Sequence, residues 1–484
     1  MPLSVHKITA RQLRAIADGS STAADLAVLV SSQRSKRLAM LALIVRTVMA
    51  ARHPEAAVAA EGWRLLTRVQ RQASAVVEDL LGYPALGTWA TETLLALQAR
   101  AAVGPPPGRL ALFAASAAIR AGVTCVLELP PLGPRAALDL PSLGRVLLPG
   151  SLCDEAVVLR CHGETTEIAG RDARVTLPLR LDVAAPGWRP MPVVTAGRGE
   201  TGIRLLLDDF DPYRFTGLDV PLERLTAPMR REWGLRIAGG WRLLARHHHR
   251  TATEVRSLIS AITPLSDIQG ASRSVTSRRA FGTVALSLPE DDVAMALALS
   301  HEVQHAKLAA LMDLLPLVTA GPTERLYYAP WRSDPRPLAS LLQGMYAHLE
   351  VARFWRRHRE VAREPSEVHY ANVEYARWRK ACALVAEVLG AHSELTRSGS
   401  LFVSGMTTVL RGWRHDYVPA AAQAEADRVI SIHRGQSAVA RAVEGAQETL
   451  AGSHLTAPRE QAGWRLKRQE AVKTLDEPRE PRGG

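Results

Sequence analysis

The sequence predicts an α+β protein that is predominantly helical, with a helical N-terminal region (1–109), a β-rich mixed middle (110–288) and a helical C-terminal region (289–450). Three observations predict it. Apolar residues recur every three or four positions in SSQRSKRLAMLALIVRTVMA and GWRLLTRVQRQASAVVEDLL, the period of an amphipathic helix. From about residue 110 the texture changes to short β-rich runs closed by Gly and Pro. Beyond Pro289 helical spacing returns and continues to about residue 450. The last stretch, 451–484, is charged, ends DEPREPRGG and is expected to be disordered.

TARQLRAIADGSSTAADLAVLV reads as a helical hairpin. Its second helix offers few side chains that could read bases, which argues against a helix-turn-helix. GPPPG at 104–108 is a breaker. TCVLELPPL, GRVLLPG, EAVVLRCHG, TTEIAG and ARVTLPLRLDV predict strands, and GIRLLLDD (202–209) and GTVALSLP (282–289) continue the layer. PLERLTAPMRREWGL and TATEVRSLISAI predict helices among them. Further helices are expected near 289–315, 336–360, 364–391 and 419–450.

With 484 residues, 47% of them apolar, the chain can bury a substantial core. The formal charge is +12, carried almost wholly by arginine, so an acidic partner has to be considered. The arginines are interleaved with acids and form no block long enough for a nucleic-acid stripe. The most apolar stretches are broken by arginine before a membrane-spanning length. Neither nucleic acid nor membrane is therefore an expected partner. Cys125, Cys153, Cys161 and Cys382 show no ligand-like spacing, and MPLSVHKITARQ lacks a basic region followed by an apolar run. Reduced, packed thiols in a cytoplasmic protein are expected.

The chemistry concentrates in LPEDDVAMALALSHEVQHAKLAALMDLL. Pro289 suits a first helical turn, and Glu290, Asp291 and Asp292 suit the positive end of the helix dipole. His301 and His305 then lie one turn apart on one face, where two imidazoles can clamp a divalent ion. Glu302, turned by about 100° from His301, reaches the rim of such a site. A metzincin would continue with Gly and His; this chain continues AKLAALMDLL. A thermolysin-like third ligand would be Glu324, but TAGPTERLYYAPW is a Gly/Pro loop. His348, beside the apolar face of ASLLQGMYAHLEVARFW, is the better third ligand. Three imidazoles suit Zn, Fe or Ni.

FGTVALSLP, SHEVQHAKLAALMDLLPL and YYAPWRSDPRPLASLLQGMYAHLEVARFW together resemble the actinobacterial HEXXH-motif proteins tied to modification of ribosomally made peptides. LRAIADGSSTAADLAVLVSSQRSKRLAML and GYPALGTWATETLLAL fit the same pattern, so the resemblance covers most of residues 8–450. It implies an Fe(II)- and 2-oxoglutarate-dependent peptide β-hydroxylase using O2. His301, His305 and His348 would hold the metal, and Arg332 or Arg336 of PWRSDPRP the far carboxylate of the keto acid. Lys307 is a weaker candidate for that carboxylate. Glu302 would orient a ligand or the substrate, not activate water. Glu350 or Asp313 could still supply a carboxylate ligand, although Asp313 reads as an ordinary helix-end acid. The implied partners are a ribosomally made precursor peptide and other peptide-maturation enzymes. A zinc metallopeptidase with Glu302 as general base, and a non-catalytic peptide-binding protein, are the alternatives.

Other marked residues have structural readings beside functional ones. Arg332 and Arg336 could brace their turn through Asp334. LDDFDPYR (207–214) could meet a cationic substrate, but capping or binding its own backbone is favoured. SRSVTSRR (272–279) could border the pocket or be simply solvated. His247, His248 and His249 diverge in direction and are expected at the surface. Trp331 could be a substrate platform or a packed side chain.

Overall fold

The computed structural model describes residues 5–130, 136–148, 157–216, 220–221, 223–266, 273–319 and 325–450. Helix accounts for 58% of it, so the predominantly helical α+β class holds. The chain opens with α1 (Ala10–Asp18) and α2 (Ala23–Ala50), each started by a capping box, Thr9 with Gln12 and Thr22 with Asp25. Gly19, at φ 75°, makes the left-handed turn between them. Helices α3 (Ala56–Gln72), α4 (Ser74–Gly82), α5 (Pro84–Ala99) and α6 (Leu110–Ala121) follow. Helix α6 lies beyond the residue where the strand texture was expected to begin; it is Ala-rich and buried over its first nine residues, Leu110–Ala118.

Strands β1 (Cys125–Leu129), β2 (Ala137–Leu140), β3 (Gly144–Leu147), β4 (Val157–His162), β5 (Thr165–Ala169), β6 (Arg174–Thr176) and β7 (Trp188–Pro190) form two antiparallel sheets, ordered β1-β4-β5-β6 and β2-β3-β7. Then β8 (Val193–Ala196) and β9 (Ile203–Leu207) lead to α7 (Ala227–His247) and α8 (His249–Leu258). With β10 (Ala261–Pro264), β11 (Ser274–Val275) and β12 (Thr283–Leu286) they make a mixed sheet ordered β11-β12-β10-β9-β8. Strand β10 runs parallel to both neighbours, so α7 and α8 are the crossover that parallel pairing demands.

The C-terminal region contains α9 (Asp292–Leu314), a hairpin of β13 (Leu326–Tyr327) and β14 (Arg336–Pro337), α10 (Leu338–Val361), α11 (Pro365–Gly390), α12 (Arg397–Gly412) and α13 (Ala420–Leu450). Pro289 falls outside α9, whose N-cap is Asp291, accepting from the Ala294 N–H. One apolar core joins α1, the five-stranded sheet and α7 to α12; a second joins α2 to α6 with the two antiparallel sheets. Cys125, Cys161 and Cys382 are buried thiols, and Cys153 lies outside the described residues. The residues expected to be disordered, 451–484, also lie outside them. No helix among the described residues is long and apolar enough to cross a membrane. One surface expectation fails: His248 is buried and stacked on Phe354, with ring centroids 4.4 Å apart.

Candidate metal centre

Helix α9 runs straight out of the sheet from β12 and is apolar nearly all round, so each polar side chain on it needs a stated partner. Ser300 donates to the Ala296 carbonyl at 2.7 Å. Gln304 donates to Glu254 of α8 at 2.6 Å, and Lys307 pairs with the same carboxylate. His301 and His305 meet each other, Nε2 to Nε2, at 3.2 Å. Two imidazoles sharing one ion at about 2.1 Å would hold their nitrogens about 3.0–3.4 Å apart. The pair therefore has the spacing of a two-histidine clamp.

His348, from α10, brings a third ring against the pair: its centroid is 4.9 Å from that of His301, nearly perpendicular. Its Nδ1 lies 2.8 Å from the Gly344 carbonyl. A carbonyl can only accept, so Nδ1 carries the proton and the neutral ring has its lone pair on Nε2. This is the second-sphere arrangement that fixes a ligating histidine. Trp331 stacks on one side of the ring, 4.5 Å away at 11°, and Trp378 of α11 packs 4.6 Å away. Burial lowers all three imidazoles: His305 to about 4, His348 to about 3, and His301 well below the ordinary value, with its two neighbours adding to the effect. Neutral rings are what a metal requires. Among the described residues, however, no set of three or more His, Cys, Asp or Glu side chains is gathered for one ion. His301 and His305 are brought together; a third ligand is not gathered with them.

Glu302 leaves the histidine face. Its Oε1 accepts from the Ser274 hydroxyl of β11 at 2.8 Å, and Thr276 lies near enough to favour the charged carboxylate. Burial raises this carboxyl to about 7 against the opposing pull of Ser274 and Thr276. SRSVTSRR, expected to be solvated or to border the pocket, thus supplies the edge strand β11 that braces α9.

Three sequence-derived roles need correction. Lys307 is fully buried on another face of α9, against Glu254, with Tyr346 beneath its ammonium. Desolvation lowers it, while Glu254 keeps it paired. It faces no anion site. Arg332 and Arg336 both hold Asp334, at 2.7 and 3.1 Å, so the turn-bracing reading is what the hairpin shows. Glu350 accepts from Thr251 and pairs with Arg353, and Asp313 binds Gln33, Lys36 and Arg278; neither is a ligand here. Glu324 lies outside the described residues.

Arg377 of α11 was not singled out by sequence. It lies 4.4 Å over the Trp378 ring, is oriented by Glu374 at 3.2 Å, and its charge helps to lower His348. Only its place one residue before a tryptophan, in YARWRK, could have pointed to it. A cavity of about 700 Å³ opens at the other end of α9, lined by Arg242, Asp292, Val293 and His358, and does not include the three histidines. The chain matches no protein-family model and no curated protein sequence.

Proposed function

We propose that this protein is an Fe(II)- and 2-oxoglutarate-dependent oxygenase that hydroxylates a side-chain β carbon of a ribosomally made peptide. The observation that carries the reading is the His301–His305 clamp with the oriented His348 ring beside it. Iron with the keto acid and O2 would supply the oxidising power to functionalise an unactivated carbon. His301 and His305 would bind the ion, and His348 would complete the set by closing its ring on the pair. Trp331 and Trp378 hold that ring from two sides and keep water from it.

Arg377, in place of Arg332, Arg336 or the weaker candidate Lys307, is the cation best placed for the keto acid's far carboxylate. Its guanidinium is close enough to act on His348, partly exposed, and oriented by Glu374. Arginine's planar fork suits a carboxylate. Arg332 and Arg336 share Asp334, and Arg377 is likewise paired with Glu374, so what favours Arg377 is its place beside His348. A peptide substrate is favoured because β11, an outer strand, lies one hydrogen bond from Glu302 and can accept an extended chain along its edge.

The experiment is an anaerobic and aerobic comparison of the purified protein with Fe(II), 2-oxoglutarate and peptides encoded beside its gene. Expected are succinate release that needs Fe(II), O2 and 2-oxoglutarate together, and a gain of one oxygen in a peptide. Peptide fragments without any keto acid would replace the reading by a zinc peptidase with Glu302 as base. Peptide binding without turnover, unchanged in His301→Ala/His305→Ala, would make the protein a binding module.

A further inference from the structure

The five-stranded sheet has a second outer strand, β8, at the edge opposite β11. Along one of its sides, backbone N–H and C=O groups have no neighbouring strand among the described residues. Beside it lies a cavity of about 680 Å³ whose walls carry Arg189, Arg204, Arg224 and Arg230 against one acid, Asp182. Asp182 is paired with Arg180 at 2.9 Å, and Arg224 with buried Asp209 at 2.9 Å. Arg189, Arg204 and Arg230 have no carboxylate partner among the described residues. Arg189 donates to the carbonyls of Ala185 and Trp188, and Arg230 to that of Leu225, so both are fixed in direction while keeping their charge. Arg204 sits directly across from Thr195 in the β8–β9 ladder, and both residues line the cavity.

We infer that this face docks an extended acidic peptide segment, laid along β8 with its carboxylates on Arg189, Arg204 and Arg230. An outer strand supplies main-chain hydrogen bonds and the alternating side chains of an added strand supply selectivity. Three uncompensated guanidinium groups make that selectivity one for acids. The chain's +12 charge adds long-range attraction for the same partner. That the docked segment belongs to the substrate rests on the oxygenase reading; the docking does not. Four strand steps separate β8 from β11, about 19 Å at about 4.8 Å each. A recognition segment at β8 would therefore need roughly six or more extended residues to reach the reacting one.

The test is a titration of the intact protein into a short fluorescein-labelled peptide alternating glutamate and valine, read by anisotropy. Binding is expected to weaken about tenfold or more when glutamine replaces glutamate, and similarly in Arg204→Glu and Arg230→Glu. Arg204 is exposed, so R204E remains decisive if R230E does not fold. Equal affinity for the glutamine peptide, unchanged affinity in R204E, or equally tight binding of an oligothymidylate of the same charge would each overturn the inference. His301→Ala/His305→Ala is expected to leave peptide affinity intact while abolishing metal binding, so the two readings fail separately.

Discussion

At Gly344 an added Cβ would come within 2.5 Å of the Trp331 indole, which lies flat against this turn of α10. The same glycine's carbonyl receives the His348 proton. One small residue therefore sets both the platform and the tautomer of the third ring. Alanine would gain about 1 kcal/mol of helix propensity and lose about 1–3 kcal/mol to overpacking. Gly344→Ala is thus expected to cost up to about 2 kcal/mol of stability while displacing Trp331. Tryptophan emission should shift and metal affinity fall; unchanged emission would mean that the indole does not rest there. Arg377→Gln is expected to raise the KM for 2-oxoglutarate roughly 10–100-fold, the loss of a charge-assisted pair, with metal affinity nearly unchanged. A matching rise for Arg336→Gln and none for Arg377→Gln would return the role to the hairpin.

At the scale of elements, the turn after β9 shows why an acid-rich stretch need not face a substrate. Asp208, Asp209 and Asp211 are all buried. Tyr83 donates to Asp208 and Asp211, Arg109 grips Asp211, Arg214 acts on Asp208, and Asp209 accepts from Arg224 and the Leu225 N–H. The knot ties α4 and α6 to the sheet. Burial, with Asp211 beside it, raises the Asp208 carboxyl to about 7. A folded value above the unfolded 3.8 means that the native state holds this proton more tightly. Its contribution is complete below about pH 4 and is lost as pH rises through about 7. Asp208→Asn keeps the neutral form throughout, so its Tm relative to the parent's is expected to climb across that window. A pH-independent difference would show that Asp208 is ionised in the native protein.

Across the whole molecule, two cores meet at Arg37. Its guanidinium donates to the carbonyls of Leu81 at 2.8 Å and Phe281 at 2.5 Å, joining α2, α4 and the segment entering β12. Gly87 gives it room, since a Cβ there would lie 2.7 Å from the Arg37 Nε. Arg37→Leu would strand two buried carbonyls at about 1–3 kcal/mol each and lower the Tm. Loss of helix by circular dichroism and loss of metal binding should still coincide, the mark of one cooperative unit. Separate transitions would mean that the N-terminal helices unfold without disturbing the site.

Local rules made much of this legible before any coordinates. The period of α2 and the one-turn spacing of His301 and His305 depend on residues within a few positions of each other. That is why the hairpin, α9, α10 and α11 could be read directly. Strand β10 could not, because four residues ending in proline are too short a period to separate from the helix before them. Nor could the faces of α9: a helix apolar all round gives no sign of which polar residue turns to a neighbour and which to a site. Only packing decided that Lys307 belongs to Glu254, that Asp334 holds both hairpin arginines, and that Arg377 arrives beside His348 from another helix. Spacing picked out the histidine pair; partners far apart in the chain settled how the side chains around it are engaged.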